Sequence, residues 1–188
     1  MKTFIQLLKE MSSLSRVNSH VKTPSMSFGV ISAMKGFDAD ALEHQGLSVD
    51  ELKSVKDKHH ARNEEKHIEL KKQVRSMNYG YIEHDGLWTN AKGVAGYEKS
   101  LLVPHISTDE LIALGSHHNQ EAVIHKSGTN FTMIDVASGK GIMDFQHGKD
   151  KNLDLAAAST RDYWSRLRYG SHSDKKYVFI PKDTENSQ

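Results

Sequence analysis

"EAVIHKSGTNFTMIDV", residues 121–136, is the stretch whose reading decides the fold. Its two apolar runs, rich in β-branched and aromatic residues, flank Ser127-Gly128 and so read as two antiparallel strands joined by a tight turn. Upstream, "YEKSLLV" at 97–103 is a further strand. Between them, Ser107 with Glu110 forms a capping-box pattern that opens a short helix with Leu111, Ile112 and Leu114 on its apolar side.

The same pattern extends towards the N-terminus. "SFGVISA" at 27–33 has the composition of a buried strand. Ser48 with Glu51 is a second capping box, opening a helix that runs to about Met77, or two shorter helices that meet near His59 and His60. Asp85-Gly86, between "YIEH" and "LWTN", carries a strong local hairpin signal. Leu153 to about Leu167 reads as a helix, and Tyr177 to Ile180 as a last strand ended by Pro181. Hairpins with helices between strands predict an α+β fold with a single mixed, largely antiparallel sheet rather than a regular parallel series. The expected organisation is a helix at 1–10, a Ser-rich flexible linker at 11–26, one domain at 27–181 and a disordered tail at 182–188.

Composition narrows the function classes. With no cysteine among 188 residues, disulfides, thiolate catalysis and cysteine-bound metal clusters are excluded. Twenty-five basic and 24 acidic residues leave a net charge of +1, without the global field of a dedicated nucleic-acid binder. No apolar run reaches the roughly 20 residues of a bilayer span, and no cleavable export signal is evident, so no membrane partner is expected.

The first ten residues, "MKTFIQLLKE", place Phe4, Ile5, Leu7 and Leu8 at helical spacings. Through Met1, Lys2, Thr3, Phe4, Leu8, Lys9 and Glu10 the segment resembles the capsid-targeting peptides of internal head proteins in T-even-like phages. The resemblance implies cleavage between Glu10 and Met11 by a phage prohead protease, packaging in the capsid interior, and delivery with the genome. The location would then be the virion interior and later the host cytoplasm, with an unknown host protein or nucleotide ligand as target and counter-defence as one role. The alternatives are an ordinary N-terminal helix docked on its own core and, for the whole protein, a structural head component.

A second resemblance spans about residues 28–125 and is to an uncharacterised bacterial and phage domain family. It rests on Ile31, Ser32, Ala33, Asn63, Gly80, Gly86, Trp88, Glu98, Ser100, Val103 and Gln120. Lys35 stands where arginine is more typical, and the insert between Ala33 and Asn63 is long. The resemblance implies a shared fold and a polar ligand-binding cluster of Ser32, Lys35, Asn63, Glu98, Ser100 and Gln120, but no reaction and no cofactor. Such a cluster would hold a phosphate or sugar, with Lys35 neutralising charge and Glu98 accepting a hydrogen bond or acting as a base. The plainer reading has Ser32 and Asn63 satisfying backbone groups and Glu98 paired with a surface lysine.

Three other constellations bear on chemistry. His105-Ile-Ser107 and His125-Lys-Ser127 resemble the paired signatures of two-histidine phosphoesterases, which act on nucleotide or RNA ends, although their separation is short. His60 and His67, with His84, His117 or His118, lack the spacing of a simple metal pair, and no metal is expected. "RDYWSRLRY" at 161–169 mixes Arg161, Arg166 and Arg168 with Tyr163, Trp164 and Tyr169, the composition of a nucleic-acid stacking surface or of a helix with solvated arginines. "SGKG" at 138–141 reads as a turn.

Overall fold

The computed structural model describes residues 14–37, 47–89, 95–146, 164–169, 176–179 and 181–182. The N-terminal segment 1–10 with its implied cut, residues 90–94, residues 153–163 and the tail from 183 lie outside the described residues. The elements are α1 (Leu14–Lys22), β1 (Phe28–Ser32), α2 (Val49–Ser76), β2 (Ile82–Thr89), β3 (Ala95–Pro104), α3 (Thr108–His117), β4 (Ala122–Ser127), β5 (Asn130–Asp135), β6 (Gly141–Asp144), β7 (Trp164–Leu167) and β8 (Lys176–Tyr177). The strands form one open antiparallel sheet of order β6-β5-β4-β1-β3-β2-β7-β8, an α+β fold. None of the described helices is long and apolar enough to cross a membrane.

Each face of the sheet carries its own core. Ile31, Leu101, Val103 and Val123 point to the face covered by α2 and α3, where Leu70, Val74, Leu111 and Leu114 meet them. Phe28, Ile82, Leu102, Phe131, Leu167 and Tyr177 occupy the opposite face. This is the period-two alternation of strands buried on both sides. At Gly29 an added Cβ would lie 2.7 Å from both Leu111 methyls and 2.8 Å from Ile106 Cγ2, so the missing side chain lets α3 lie close on β1.

Both helix starts follow the capping boxes read from the sequence: Ser48 with Glu51 and Ser107 with Glu110 each make the reciprocal pair of bonds. The α2 helix is uninterrupted past His59 and His60. The Ser127-Gly128 hairpin also forms, with Gly128 at φ 60° as its turn demands.

Three local expectations fail. Asp85-Gly86 is not a turn but the middle of β2, paired with Lys99 and Glu98 of β3 on one side and with Arg166 and Ser165 of β7 on the other. Two-sided ladder bonding there overrides the local turn preference. Within the expected helix at 153–167, Trp164–Leu167 is instead a strand, in which Leu167 is buried in one core while Arg166 reaches Asp85 on the opposite face.

Leu14–Lys22, expected as linker, is a helix. Its Val17 and Val21, four apart and fully buried, pack into the core with Phe28 and Phe131. Lys126 Nζ, itself buried, donates to the carbonyls of Thr23 at 2.9 Å and Met26 at 2.7 Å and ties the segment after α1 to β4. Serine and asparagine content had masked a two-valine stripe.

The alanine substitutions Val17→Ala and Val21→Ala are each expected to destabilise the fold by about 1.5–3 kcal/mol in urea denaturation. A linker would show no loss.

Candidate functional site

The site is assembled at the end of the sheet remote from α1. Helix α3 stops at His118, and Asn119 takes the left-handed conformation, φ 54°. Asn119 N–H then donates to Ser116 O at 3.0 Å and Gln120 N–H to Gly115 O at 2.8 Å, the pair of bonds that closes a helix and redirects the chain. That reversal delivers Gln120 beside the loop leaving β1, where its Nε2 donates to Met34 O at 3.2 Å.

The same loop is gripped from two further elements. Asn63, buried on α2, accepts from Lys35 N–H at 3.0 Å and donates to Lys35 O at 2.9 Å. Ser32 Oγ donates to Lys99 O at 2.9 Å and accepts from Met34 N–H at 3.0 Å. Lys35 Nζ donates to the Asn119 carbonyl. Backbone 32–35 is thus fixed by β3, α2 and the end of α3.

This braced loop rims a cavity of about 600 Å³ on the face opposite α2 and α3. Its apolar lining includes Val30 and Ile124 of the central strands, Met133 and Met143, and Phe145, Val178 and Phe179. The phenylalanines form a cluster, Phe131 to Phe145 at 5.0 Å and Phe131 to Phe179 at 5.1 Å, that belongs to the same core as Val17 and Val21 of α1. Lys35, Gln120 and Glu121 stand at the rim, and Glu98, Ser100 and Ser165 bring polar atoms inside. A recess of about 140 Å³, bounded by Ser32, Glu98, Gln120 and Ala122, shares the same walls.

Glu98 is the chemically distinctive group. Strand register sets it beside Gly86, which has no side chain to cover it, with Ser165 one strand further. No hydrogen bond or ion pair from any described residue reaches its carboxylate, and burial alone pushes its pKa up to about 7. The neighbouring lysine in sequence, Lys99, faces the other way and pairs with Glu64 of α2.

The next cross-strand row on this face is Ser32, Ser100, His84 and Leu167. His84 Nδ1 lies 2.9 Å from the Tyr177 hydroxyl, and burial lowers its pKa to about 4, so the imidazole is neutral at ordinary pH. Burial raises the Tyr177 pKa as well.

Of the six residues in the expected polar cluster, the structure gathers all around the 32–35 loop and the cavity, in two different settings. Glu98 and Ser100 line the cavity, with Lys35 and Gln120 at the rim. Ser32 and Asn63 spend their side chains on backbone groups, as the plainer reading has it. What the sequence reading missed is the apolar wall and the role of Gly86. Alternation along "FGVIS" and "AVIHKS" already put Val30 with Ser32 and Ile124 with Ala122 on one face.

The remaining constellations lie elsewhere. His125 is on the α3 face, its Nδ1 3.1 Å from Thr108 Oγ1 and its Nε2 3.1 Å from Ile106 O, and burial lowers its pKa. His105 is exposed with φ 63°, Ser107 is engaged as the α3 cap, and Ser127 is exposed at its hairpin. His67 is buried against Glu83, which also accepts from Lys71 at 2.7 Å, while His60 is exposed. His84 is on the opposite face, His118 bonds Gln73, and His117 pairs with Glu69. Among the described residues no three His, Asp or Glu side chains gather as a metal would require.

In the arginine-rich stretch, Arg161 and Tyr163 lie outside the described residues, Arg166 Nη2 is 3.4 Å from Asp85, and Arg168 lies over the Tyr169 ring. Ser138 and Gly139 form a turn closed on Asp135.

No curated protein sequence matches the chain. Residues 55–123, just over a third of it, match the family described as "Protein of unknown function (DUF3293)". The matched segment holds Asn63, Gly86, Glu98, Ser100 and Gln120, and stops short of Ser32 and Lys35 upstream. The chain is similar to that family across α2, β2, β3 and α3, the elements that set Glu98 beside Gly86 and carry Asn63 to the Lys35 backbone.

Proposed function

We propose that this domain is a binding protein for a small organic molecule, held in the cavity between the 33–36 loop and the phenylalanine cluster. The observation that carries the reading is a carboxyl group, Glu98, with no partner among the described residues, inside a largely apolar cavity of about 600 Å³. That size and lining suit a ligand with an apolar body and few polar contacts. Glu98 is half-buried, and withdrawing an acid from water without a partner lowers stability, so its presence is better explained by what it meets in the bound state than by folding.

The delivery route proposed alongside it rests on the sequence of residues 1–10. A chain cut between Glu10 and Met11 keeps the whole of α1, with Val17 and Val21 in the core. The capsid-targeting reading is therefore compatible with a mature protein that retains the cavity. A phosphoesterase built on His105 and His125 draws less support, because the ring nitrogens of His125 are taken up beneath α3.

Glu98 sets a pH dependence whose sign follows from its raised pKa. The folded protein holds the proton more tightly than the unfolded chain, so the stability linked to it is complete below the ordinary value of 4.5 and lost as pH rises through about 7. Glu98→Gln is expected to leave stability near pH 4.5 almost unchanged. At pH 8.5 it should raise stability by about 1–3 kcal/mol in chemical denaturation. An equal effect at both values would place Glu98 in water.

The binding reading is tested by titrating phenethyl alcohol, a neutral aromatic probe, into isotope-labelled protein. Methyl resonances of Met133, Met143 and Ile124 are expected to shift, and Ala122→Leu, which fills the recess, to weaken binding at least threefold. Shifts confined to other residues would sink the reading. For the delivery route, mass spectrometry of phage particles should find a form beginning at Met11, and Glu10→Ala should preserve the full-length chain. A protein absent from particles would end that proposal.

A further inference from the structure

The identity of the charged group in the cavity narrows the ligand. Anions are disfavoured by Glu98, the acid inside, while Lys35 and Glu121 at the rim offset one another in charge. A sugar would need many directed polar contacts, whereas the walls are formed by Val30, Ile124, Met133, Phe145 and Phe179. A carboxylate has only acceptor atoms when ionised and asks for a donor, best a charged one. The glycine beside it on β2 leaves the carboxyl open to a group entering from the cavity rather than shielded by a neighbour.

We infer that the cavity takes an organic monocation, a protonated amine or amidine on an aromatic or branched aliphatic body, with its N–H groups donating to Glu98 and its body against Val30, Ile124, Met133 and the phenylalanines. This assignment deepens the binding-protein reading and rests on it. Ser100, two residues along β3 from Glu98, and Ser165, paired with Gly86 on β7, offer hydroxyls to the remaining ammonium hydrogens. The methionines give the wall adaptable shape, which fits a class of amines rather than one rigid outline.

The charge state of the pair is decided by few groups. Facing the cavity are Lys35 and Glu121 at the rim; His84 and Tyr177, in the cross-strand rows of the same face, are bonded to each other and uncharged at neutral pH. Glu98, with its pKa near 7, gains charge over the range in which an alkylamine stays protonated. Binding of the cation should therefore tighten as pH rises from 5.5 to 8.5, while that of a neutral analogue should not.

The experiment compares phenethylamine with phenethyl alcohol, two probes of equal size that differ in the charged group, by NMR titration of the full-length chain. The amine is expected to bind about tenfold or more tightly than the alcohol at pH 8.5, with the advantage shrinking at pH 5.5. Glu98→Gln should abolish the preference while alcohol binding persists, which also shows the variant to be folded. Equal binding of the two probes, or an amine preference that survives Glu98→Gln, overturns the monocation assignment and leaves the cavity reading standing. Failure of both probes to reach the cavity removes both.

Discussion

The whole arrangement depends on β1 being bonded on both sides while its side chains alternate strictly between two different environments. Phe28, Val30 and Ser32 belong to the cavity face, and Gly29 and Ile31 to the helix face. A slip of one residue would drive Phe28 into α3 and strip the cavity of Val30. Gly29 fixes the depth at which α3 rests, and with it the place where the helix ends and Gln120 meets the loop after β1.

The two faces handle polar groups in opposite ways. Under α2, charged residues are matched: Glu83 with Lys71 and His67, Glu64 with Lys99, and Asp85 with Arg166. Together Lys71 and His67 outweigh burial and keep the Glu83 carboxyl below its usual range. On the other face the Glu98 carboxyl has no match among the described residues, and burial acts on it unopposed. Two glutamates on adjacent strands thus differ in kind because strand parity sends them to opposite sides of one sheet.

The legible parts of the sequence were those whose signal is local. Both capping boxes, the 127–128 turn and the strand at 97–103 are settled within a few residues, and they appear as read. Glu98 and Ser100 share a face for the same reason. Asp85-Gly86 misled because a favourable turn dipeptide was placed between two partner strands distant in sequence. Trp164–Leu167 is too short for its period to declare itself, and its strand identity comes from β2. The cavity was invisible for a related reason: its walls come from β1, β4, β5 and the segments near 143–145 and 178–181, and no local window contains them together.

Strand order also has a consequence in time. The central strand is the first of the described strands to be made, yet the nearest residues it pairs with, Ser32 and Ser100, are 68 positions apart. At the roughly 5–20 residues per second of ribosomal synthesis, "FGVIS" leaves the exit tunnel roughly 3–14 s before its first partner strand exists. During that interval an apolar strand stands with both edges open, while α2 has already had time to form on its own capping box. Pairing of β1 is accordingly a late event, waiting on residues 100–104 and 124–126, and until they emerge the nascent chain carries an apolar strand with its edges uncovered.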